Sequence, residues 1–367
     1  MEAALALRAL AGNQVAPTLL SPDPGFRYRP AATLEAFQDG SPLIYDLRTI
    51  AADVKGDYRK GLLQSVASQK RYVRTAGARF EYDALVVATG ARATAGIPGA
   101  LTFRDQRDVR LIRPLLEELD TRTVTRVVFA VPTGLTWSLP IYELALLSAT
   151  RAQERGVDAQ IALVSAERQP LAVFGTEASR LVGGVLAERG VRFLGGVVPT
   201  GVRRDGALML QSEGAVAADR VVAVPVLRGR RITGVPASWQ GFVPADFSGR
   251  VEGLEDVYAA GDITSYPIKQ GGLATQQADR VAHTIASALG APVKEFRAEF
   301  VLRARLLGGE HPVFLRTELD AAGKPTAAAL EHPEKQEAAS SAKLFARYLT
   351  PYLETLKPVS ANQVAAA

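Results

Sequence analysis

Apolar residues recur along most of this chain with the spacings of alternating helices and strands. Spacings of three and four predict a helix over Glu2–Leu10, and a short strand over Val15–Leu20 follows it. A helix that leads into a strand is the second half of a strand–helix–strand unit. Because no capping residue and no first strand precede the helix, we expect a fold that starts late or a truncated chain.

Continuous apolar runs predict strands that are buried on both faces of a parallel sheet. One run closes the segment Arg79–Gly90, and another is Val257–Ala260. Between them, strands and helices alternate, which predicts a parallel sheet with crossover helices. The predicted strands are Arg126–Val131, Gln160–Ser165, Val191–Leu194 and Val221–Pro225, the helices are Tyr142–Gln153 and Ala178–Glu188, and Gly201–Ala223 resembles a hairpin or meander.

The pattern changes after about residue 291. A helix is predicted from Gly272 to Leu289, with Gly290 as its C-terminal stop. Val301–Leu307 and Pro312–Glu318 then alternate in the manner of antiparallel strands.

The last segments give weaker patterns. The polar, alanine-rich stretch Ala321–Ser341 is predicted to be a loop, and the final residues a disordered tail. Lys343–Leu356 predicts a helix with one leucine-rich and aromatic face, which Pro351 kinks or ends. That face lies on a membrane, or it packs on the body of the protein or on a second subunit of a homodimer.

Composition narrows the possible functions. The chain has 367 residues, 47% of them hydrophobic, which suits two or three globular domains. The net charge of +5 is spread out, and its densest cluster, Arg228–Arg231, is too short for a nucleic-acid tract. We therefore expect no nucleic-acid partner, while a mild attraction for anionic cofactors or lipid surfaces stays open.

Several chemistries are excluded by what the chain lacks. It has no cysteine, so disulfides, thiolate nucleophiles and cysteine-ligated iron–sulfur clusters are ruled out. Its three histidines have no metal-binding spacing, so no metal site is expected. With no signal-peptide pattern and no apolar run of about 20 residues, we expect a cytoplasmic protein, soluble or peripheral to a membrane.

The run Asp256–Asp262 carries the clearest chemistry. An apolar strand ends at Gly261, which lets a ligand approach the backbone, and Asp262 can accept hydrogen bonds from sugar-like hydroxyls. The helix that follows presents free N–H groups and a positive dipole end. Taken alone, the run is equally typical of a strand, a turn and a helix capped by an aspartate.

A second motif makes the interpretation of the first one more specific. Tyr82–Gly90 also ends a buried strand in small residues, and an α/β segment separates the two motifs. In this order, the pair resembles the flavin domain of the pyridine nucleotide-disulfide oxidoreductase superfamily. The resemblance implies FAD, with Asp262 on the ribityl chain and Ala88, Thr89 and Gly90 in the cofactor wall.

The resemblance also implies an architecture. It is an α/β protein with two Rossmann-like domains for FAD and NAD(P), one inserted in the other, and a small C-terminal interface region. Residues 1–103 and 243–290 would form the FAD-binding domain and residues 104–242 the inserted domain. Residues 291–367 would form the interface region and tail.

Further segments resemble type II NADH dehydrogenases and sulfide:quinone oxidoreductases. Gly25–Pro30 is similar to the segment that passes the flavin ring, which implies contacts from Arg29 and Pro30. Gly61–Leu63 is similar to the segment that meets the adenine, which implicates Leu63.

Pro267–Gln277 resembles the helix start at the edge of the flavin ring. The resemblance implies contacts from Gly271, Gly272 and Leu273, with main-chain N–H groups near the flavin C2 carbonyl. Lys269 adds positive charge there or is an ordinary solvated lysine. The glutamines of Ala274–Gln277 lie beside a quinone or simply form the polar face of a helix.

Three departures from the family pattern stand out. The N-terminal G-x-G-x-x-G turn that holds the diphosphate is missing, so we expect weaker FAD binding. In the inserted domain, the turn Pro132–Glu143 keeps one glycine and holds Trp137 and Pro140, which argues against NAD(P)H binding. Glu143 contacts a nicotinamide or is a first-turn helix acid. Third, the absence of cysteine excludes disulfide chemistry.

The sequence thus predicts an FAD-dependent oxidoreductase that accepts electrons from a small-molecule donor and passes them to a quinone or another acceptor. No catalytic residue is identified. Two alternatives stay open: a protein that kept the fold without the cofactor, and an NAD(P)H-binding module without flavin.

Overall fold

Helices and strands alternate over the first 290 residues and antiparallel strands follow, as the periodicity predicts. The computed structural model describes residues 1–38, 41–212, 214–294, 300–308, 311–330 and 343–366. The helices are α1 Glu2–Ala11, α2 Ala32–Glu35, α3 Leu47–Asp53, α4 Val109–Asp120, α5 Leu139–Glu154, α6 Thr176–Glu188, α7 Gly271–Ala288, α8 Leu349–Thr355 and α9 Ala361–Ala366.

The strands of the first half are β1 Thr18–Ser21, β2 Gly25–Arg27, β3 Ile44–Asp46, β4 Asp57–Lys60, β5 Ser65–Ala67, β6 Tyr72–Arg74, β7 Arg79–Glu81, β8 Leu85–Val87, β9 Arg92–Thr94, β10 Leu101–Thr102 and β11 Arg126–Ala130. Those of the second half are β12 Gln160–Ser165, β13 Val191–Gly195, β14 Pro199–Val202, β15 Leu208–Leu210, β16 Gly214–Val216, β17 Arg220–Ala223, β18 Val226–Arg228, β19 Val257–Ala259, β20 Phe300–Leu306, β21 Val313–Leu319 and β22 Pro325–Leu330.

The middle of the chain forms a parallel sheet with strand order β10-β17-β11-β12-β13. Its central strands are buried on both faces, which explains their continuous apolar sequences. Phe129 of β11 and Leu163 of β12 are fully buried, and Tyr142 of α5 covers them in the same core. The predicted parallel α/β fold is therefore confirmed for this segment.

A second parallel region is built from two separate strand pairs. β8 pairs with β19, and β1 pairs with β4. In the part of the chain that the structure describes, no strand joins these pairs. Helix α1 spans them instead: Ala6 and Leu7 pack on Tyr258 of β19, whereas Leu5 belongs to the cluster around Leu19 of β1. The apolar spacing in α1 therefore holds both halves together.

Strand β22 corrects the prediction of a loop over Ala321–Ser341. The turn before it is fixed by Asp320, whose carboxylate accepts hydrogen bonds from the N–H groups of Ala322 (2.9 Å) and Lys324 (2.8 Å). Gly323 has a φ of 75°, which suits such a turn. The chain then pairs with β21. Alanine disfavours strands weakly, and the hairpin overrides that preference; residues 331–341 lie outside the described part.

The C-terminal helix is shorter than the pattern predicts. α8 begins only at Leu349, so Pro351 lies in its first turn, where the missing N–H breaks no helical hydrogen bond. Leu349 and Leu353 are buried in a cluster with Tyr28 and Ile50. The apolar face therefore packs on the body of the protein, as one of the two interpretations expected.

The predicted disordered tail is also wrong for residues 361–366, because α9 is a helix and Val364 is buried. None of the helices in the described ranges has the length and apolarity to cross a membrane.

Candidate functional site

Two turns meet at the carboxyl ends of β8 and β19. The strands are parallel, and the N–H of Ala260 donates to the carbonyl of Val87 at 3.1 Å. Ala88, Thr89 and Gly90 therefore follow one strand directly beside Gly261 and Asp262, which follow the other. Gly90 and Gly261 have φ values of 67° and 80°, which only glycine adopts without strain.

The carboxylate of Asp262 is free to bind a ligand. It has no hydrogen-bond or ion-pair partner among the residues that the structure describes. Burial raises its pKa, and the positive charges of Lys269 and Arg29 oppose that rise. The residue is only partly buried, so its carboxylate can accept hydrogen bonds from a ligand that brings hydroxyl groups, such as a ribityl chain.

Lys269 is buried rather than solvated, which settles one alternative of the sequence analysis. The residue is 3% exposed, and its amine donates to the carbonyl of Thr264. The same amine lies 4.1 Å from the centre of the Phe242 ring. Burial lowers its pKa to about 8, while the nearby Asp262 carboxylate opposes the shift.

The start of α7 offers two unused donors. Gln270 caps the helix by accepting from the N–H of Leu273 at 2.9 Å, and its carbonyl accepts from Ala274 at 2.9 Å. The N–H groups of Gly271 and Gly272 donate to no acceptor in the described part of the chain. Such donors at the positive end of an 18-residue helix suit an electron-rich ligand atom.

The other predicted site residues take different positions. Arg29 and Pro30 lie in a short 3-10 helix after β2, where the Arg29 side chain is exposed and its charge reaches Asp262. Leu273 is buried in the large core and Leu63 packs beneath β8 and β19, in a cluster with Val87. The structure therefore brings the turn residues together and places the two leucines in the packing behind them.

The two glutamines of α7 both have structural partners. The side-chain carbonyl of Gln277 accepts from the N–H of Gly261 at 2.7 Å, which fixes the turn before Asp262. Gln276 exchanges two hydrogen bonds with the backbone of Val301, each 2.8 Å long. These residues hold the site in place, which is closer to the polar-face alternative than to a direct contact with a quinone.

A buried ion pair beside the site was missed by sequence reasoning. The Nζ of Lys343 lies 2.6 Å from the carboxylate of Glu143 and 2.9 Å from the hydroxyl of Thr33. Thr33 also donates to Glu143 at 2.8 Å, and the N–H of Leu307 donates to it at 3.3 Å. Glu143 is 1% exposed. Glu143 lies beyond the first turn of α5, so the first-turn alternative is wrong, whereas the nicotinamide contact stays a prediction.

Burial affects the two charged groups in opposite directions. It raises the pKa of Glu143 and lowers the pKa of Lys343, and their mutual attraction opposes both shifts. A proton therefore moves within this pair more easily than between an exposed lysine and glutamate. The next residue, Leu344, approaches the start of α7, because a side chain at Gly271 would lie 3.1 Å from it. No local sequence signal links residues 200 positions apart.

The turn between β11 and α5 is filled by its own side chains. Trp137 packs edge-on against Phe174, with ring centres 6.4 Å apart. The hydroxyl of Thr136 donates to the carbonyl of Pro225 at 2.7 Å. Pro140 occupies the first turn of α5. The side chains of this turn therefore take part in packing and hydrogen bonds, and the doubt about NAD(P)H binding stays a prediction.

The residues fit the ring and sugar part of FAD better than its diphosphate. Asp262, Gly271 and Gly272 supply an unpaired acceptor and two open donors. At the start of α1, by contrast, the Glu2 carboxylate accepts from the N–H groups of Tyr348 (2.9 Å) and Leu349 (2.6 Å). The C-terminal segment thus covers the helix end that would face the diphosphate.

A Rossmann-like fold with such a ligand site defines a nucleotide-cofactor oxidoreductase. The family model of pyridine nucleotide-disulphide oxidoreductases matches residues 1–280. The chain belongs to this family, and the resemblance recognised in the sequence is confirmed. It is an oxidoreductase of a flavoprotein family whose cofactor is FAD. The absence of cysteine sets it apart from members that use a disulfide.

Solved structures share the fold. The sulfide:quinone oxidoreductase of the hyperthermophilic bacterium Aquifex aeolicus is 21% identical, with a TM-score of 0.79 over 90% of this chain and 83% of that one. A ferredoxin reductase of Rhodopseudomonas palustris is 18% identical, with a TM-score of 0.65 over 87% and 85%. An engineered water-forming NADPH oxidase is 13% identical, with a TM-score of 0.59 over 87% and 81%. No curated protein sequence matches the chain.

Proposed function

We propose that this protein passes electrons from a reduced small-molecule donor through FAD to a quinone. Residues 1–103 and 243–290 hold the cofactor, and residues 104–242 form the inserted domain on the donor side. The C-terminal region, residues 291–367, closes the acceptor side. The observation that carries the proposal is the buried Lys343–Glu143 pair, which lies next to the helix start that faces the cofactor.

The turn residues have distinct binding roles in this proposal. Asp262 accepts hydrogen bonds from the ribityl hydroxyls, because its carboxylate lacks any described partner. The N–H groups of Gly271 and Gly272, with the charge of Lys269, stabilise negative charge that builds up on the ring. Ala88, Thr89 and Gly90 form the wall beside the strand ends, with Arg29 and Pro30 at the ring.

The chemistry of a quinone explains the buried ion pair. When bound, FAD supplies two-electron transfer between a donor and an acceptor. Reduction of a quinone to a quinol takes two electrons and two protons. Lys343 and Glu143 are held within hydrogen-bonding distance of each other and of Thr33, so they can hand protons to an acceptor beside them. An acceptor that takes only electrons needs no such pair.

One observation favours a second candidate, a protein that retains the fold without the cofactor. The Glu2 carboxylate ties the start of α1 to the C-terminal segment. A negative charge there opposes an anionic diphosphate. If this contact is permanent, FAD does not bind and the family fold serves another role.

The first experiment separates these candidates. The purified chain is examined for the visible absorption of oxidised flavin, before and after incubation with FAD. Bands near those of free flavin support the oxidoreductase. A colourless protein that takes up no FAD contradicts it and favours the second candidate.

The second experiment tests the acceptor. With FAD bound and an excess of donor, rates are compared with decylubiquinone and with ferricyanide, which takes electrons without protons. Glu143→Gln is expected to lower the quinone rate about a hundredfold, the scale of general acid catalysis, and to leave the ferricyanide rate unchanged. Equal losses with both acceptors contradict the proton-transfer role.

Two further variants test whether a lower quinone rate reflects misfolding rather than the loss of proton transfer. Thr33→Val keeps the ion pair and removes the two hydrogen bonds of the Thr33 hydroxyl, so a smaller fall with the quinone alone is expected. Arg151→Met breaks an ion pair of the same helix, with Asp120 at 2.6 Å, and serves as the matched control. It is expected to change neither rate.

A further inference from the structure

Four arginines converge on one surface without carboxylate partners. Strand β18 pairs with β9, and the register places Arg228 directly opposite Arg92. Like charges opposite each other destabilise a strand pair. Arg230 and Arg231 follow on the same strand end, and all four side chains are exposed. In the described ranges, none of these arginines forms an ion pair, so their charge is available to an anionic partner.

An exposed tryptophan contacts two of these arginines. Trp239 is 80% exposed, an unusual value for this residue type. The guanidinium of Arg228 lies 5.8 Å from the centre of its ring. Arg231 donates to the carbonyls of Ser238 (3.2 Å) and Trp239 (3.1 Å). We call Arg92, Arg228, Arg230, Arg231 and Trp239 the arginine–tryptophan patch.

The patch is fixed by backbone contacts. The N–H of Gly229 donates to the carbonyl of Gln240 at 3.0 Å, and a Cβ atom at Gly229 would lie 2.0 Å from the backbone of Gly241. The two chain segments therefore touch, and only glycine permits that approach. The N–H of Gly241 closes the turn onto Ser238 at 2.9 Å. Trp239 is held outward at the tip of this turn.

The turn also borders the candidate cofactor site. Phe242 follows it directly and is buried, and its ring contacts the amine of Lys269. The patch is thus the outer surface of a segment whose inner side contacts the site. A partner bound to the patch therefore lies against a segment that contacts the site.

We propose that the arginine–tryptophan patch docks the protein on an anionic membrane surface. Arginines bind lipid phosphates, and tryptophan prefers the interface between headgroups and acyl chains. Clusters of four or more basic residues bind anionic lipids. Helix α8 does not serve this purpose, since its apolar face is buried. The inference holds whether or not the acceptor is a quinone, although docking here would bring the site close to a lipid-soluble acceptor.

The test is sedimentation of the full chain with vesicles of phosphatidylcholine, alone or with 30% phosphatidylglycerol, at low salt. Binding to the anionic vesicles only is expected, with a decrease as salt is added. Each arginine near an anionic surface contributes about a fivefold factor in binding. Arg228→Ala with Arg230→Ala is therefore expected to lower the partition coefficient about thirtyfold, and Trp239→Ala to lower it as well.

A matched control separates the effect of the patch on vesicle binding from the effect of net charge. Arg59→Ala with Arg203→Ala removes two exposed arginines elsewhere, each beside an aspartate, at 3.0 Å and 2.5 Å. This double variant is expected to bind vesicles as the unmodified protein does. The proposal is overturned if the anionic vesicles are not bound, as expected for a patch that binds an acidic protein instead. It is also overturned if both double variants lose binding equally. No donor or acceptor is added, so the outcome is independent of the electron-transfer proposal.

Discussion

The chain contains two strand–turn–helix segments with the same order of elements and different contacts. In the first, β19 leads through Gly261 and Asp262 to α7. In the second, β11 leads through Gly134 and Trp137 to α5. Both strands are buried and both turns contain a glycine with positive φ, 80° at Gly261 and 111° at Gly134. Among the described residues, the Asp262 carboxylate of the first turn has no partner, whereas side chains and hydrogen bonds fill the second turn.

This difference shows how a shared fold becomes a binding site in one place and a structural element in another. The strand and helix position the turn, and only the turn decides what can bind. Small residues leave Asp262 and two helix N–H groups open to a ligand. In the second turn, Trp137 packs on Phe174, and the Thr136 hydroxyl donates to the carbonyl of Pro225.

The largest expected effect concerns Trp137, in the turn between β11 and α5. Trp137→Ala removes a half-buried ring and its contact with Phe174, and is expected to lower the free energy of unfolding by about 3 kcal/mol. Urea unfolding measures the loss. The flavin content of the purified protein is expected to stay the same. A variant that loses flavin would show that the second turn also serves the cofactor.

The next effect concerns the buried amine of Lys269, in the segment between β19 and α7. The pKa of Lys269 is about 8 in the folded protein, below its ordinary value of 10.5. Between these values the unfolded chain holds a proton that the folded chain has lost, so the free energy of unfolding rises with pH. The rise amounts to about 3 kcal/mol for this shift.

Chemical unfolding at several pH values checks this. Lys269→Met is expected to remove the rise between pH 8 and 10.5. A variant with the same pH profile as the unmodified protein would exclude Lys269 as its source.

A smaller effect on FAD affinity is expected at the carboxylate of Asp262. Asp262→Ala removes hydrogen bonds to a charged acceptor, worth about 2 kcal/mol, which corresponds to about a thirtyfold weaker binding of FAD. Quenching of flavin fluorescence on titration measures the affinity. Asp83→Ala, which removes an exposed carboxylate just before β8, is the matched control and is expected to bind FAD normally. Unchanged affinity in Asp262→Ala would place the ribityl chain elsewhere.

The smallest effects compare the two glycines directly. Gly261→Ala and Gly134→Ala each force a side chain into the left-handed region, at a cost of about 1 to 2 kcal/mol in the free energy of unfolding. Thermal unfolding is expected to show similar losses. Only Gly261→Ala is expected to weaken FAD binding as well. If both variants or neither weaken it, the contrast between the turns is wrong.

Sequence periodicity alone determined most of the fold. The continuous apolar runs of β11, β12 and β19 predict buried parallel strands, because no polar residue interrupts them. The spacing in α1 and α7 predicts their amphipathic faces. Gly261 and Asp262 were also recognised in the sequence, because they follow a buried strand, whereas the roles of Gly271 and Gly272 came from the family resemblance. The sequence-based predictions failed at residues 321–330, where a hairpin forms, at Lys343–Leu356, where the helix begins later than expected, and at residues 361–366, which form a helix.

Tertiary structure alone decided which of these groups are free and which are paired. Lys269 is as consistent with a solvated side chain as with a buried one until Phe242 and Thr264 are placed around it. Glu143 has the same local sequence whether it faces solvent or Lys343, because its partner lies 200 residues away. Burial and long-range pairing depend on the packing of distant segments, and periodicity contains no information about that packing.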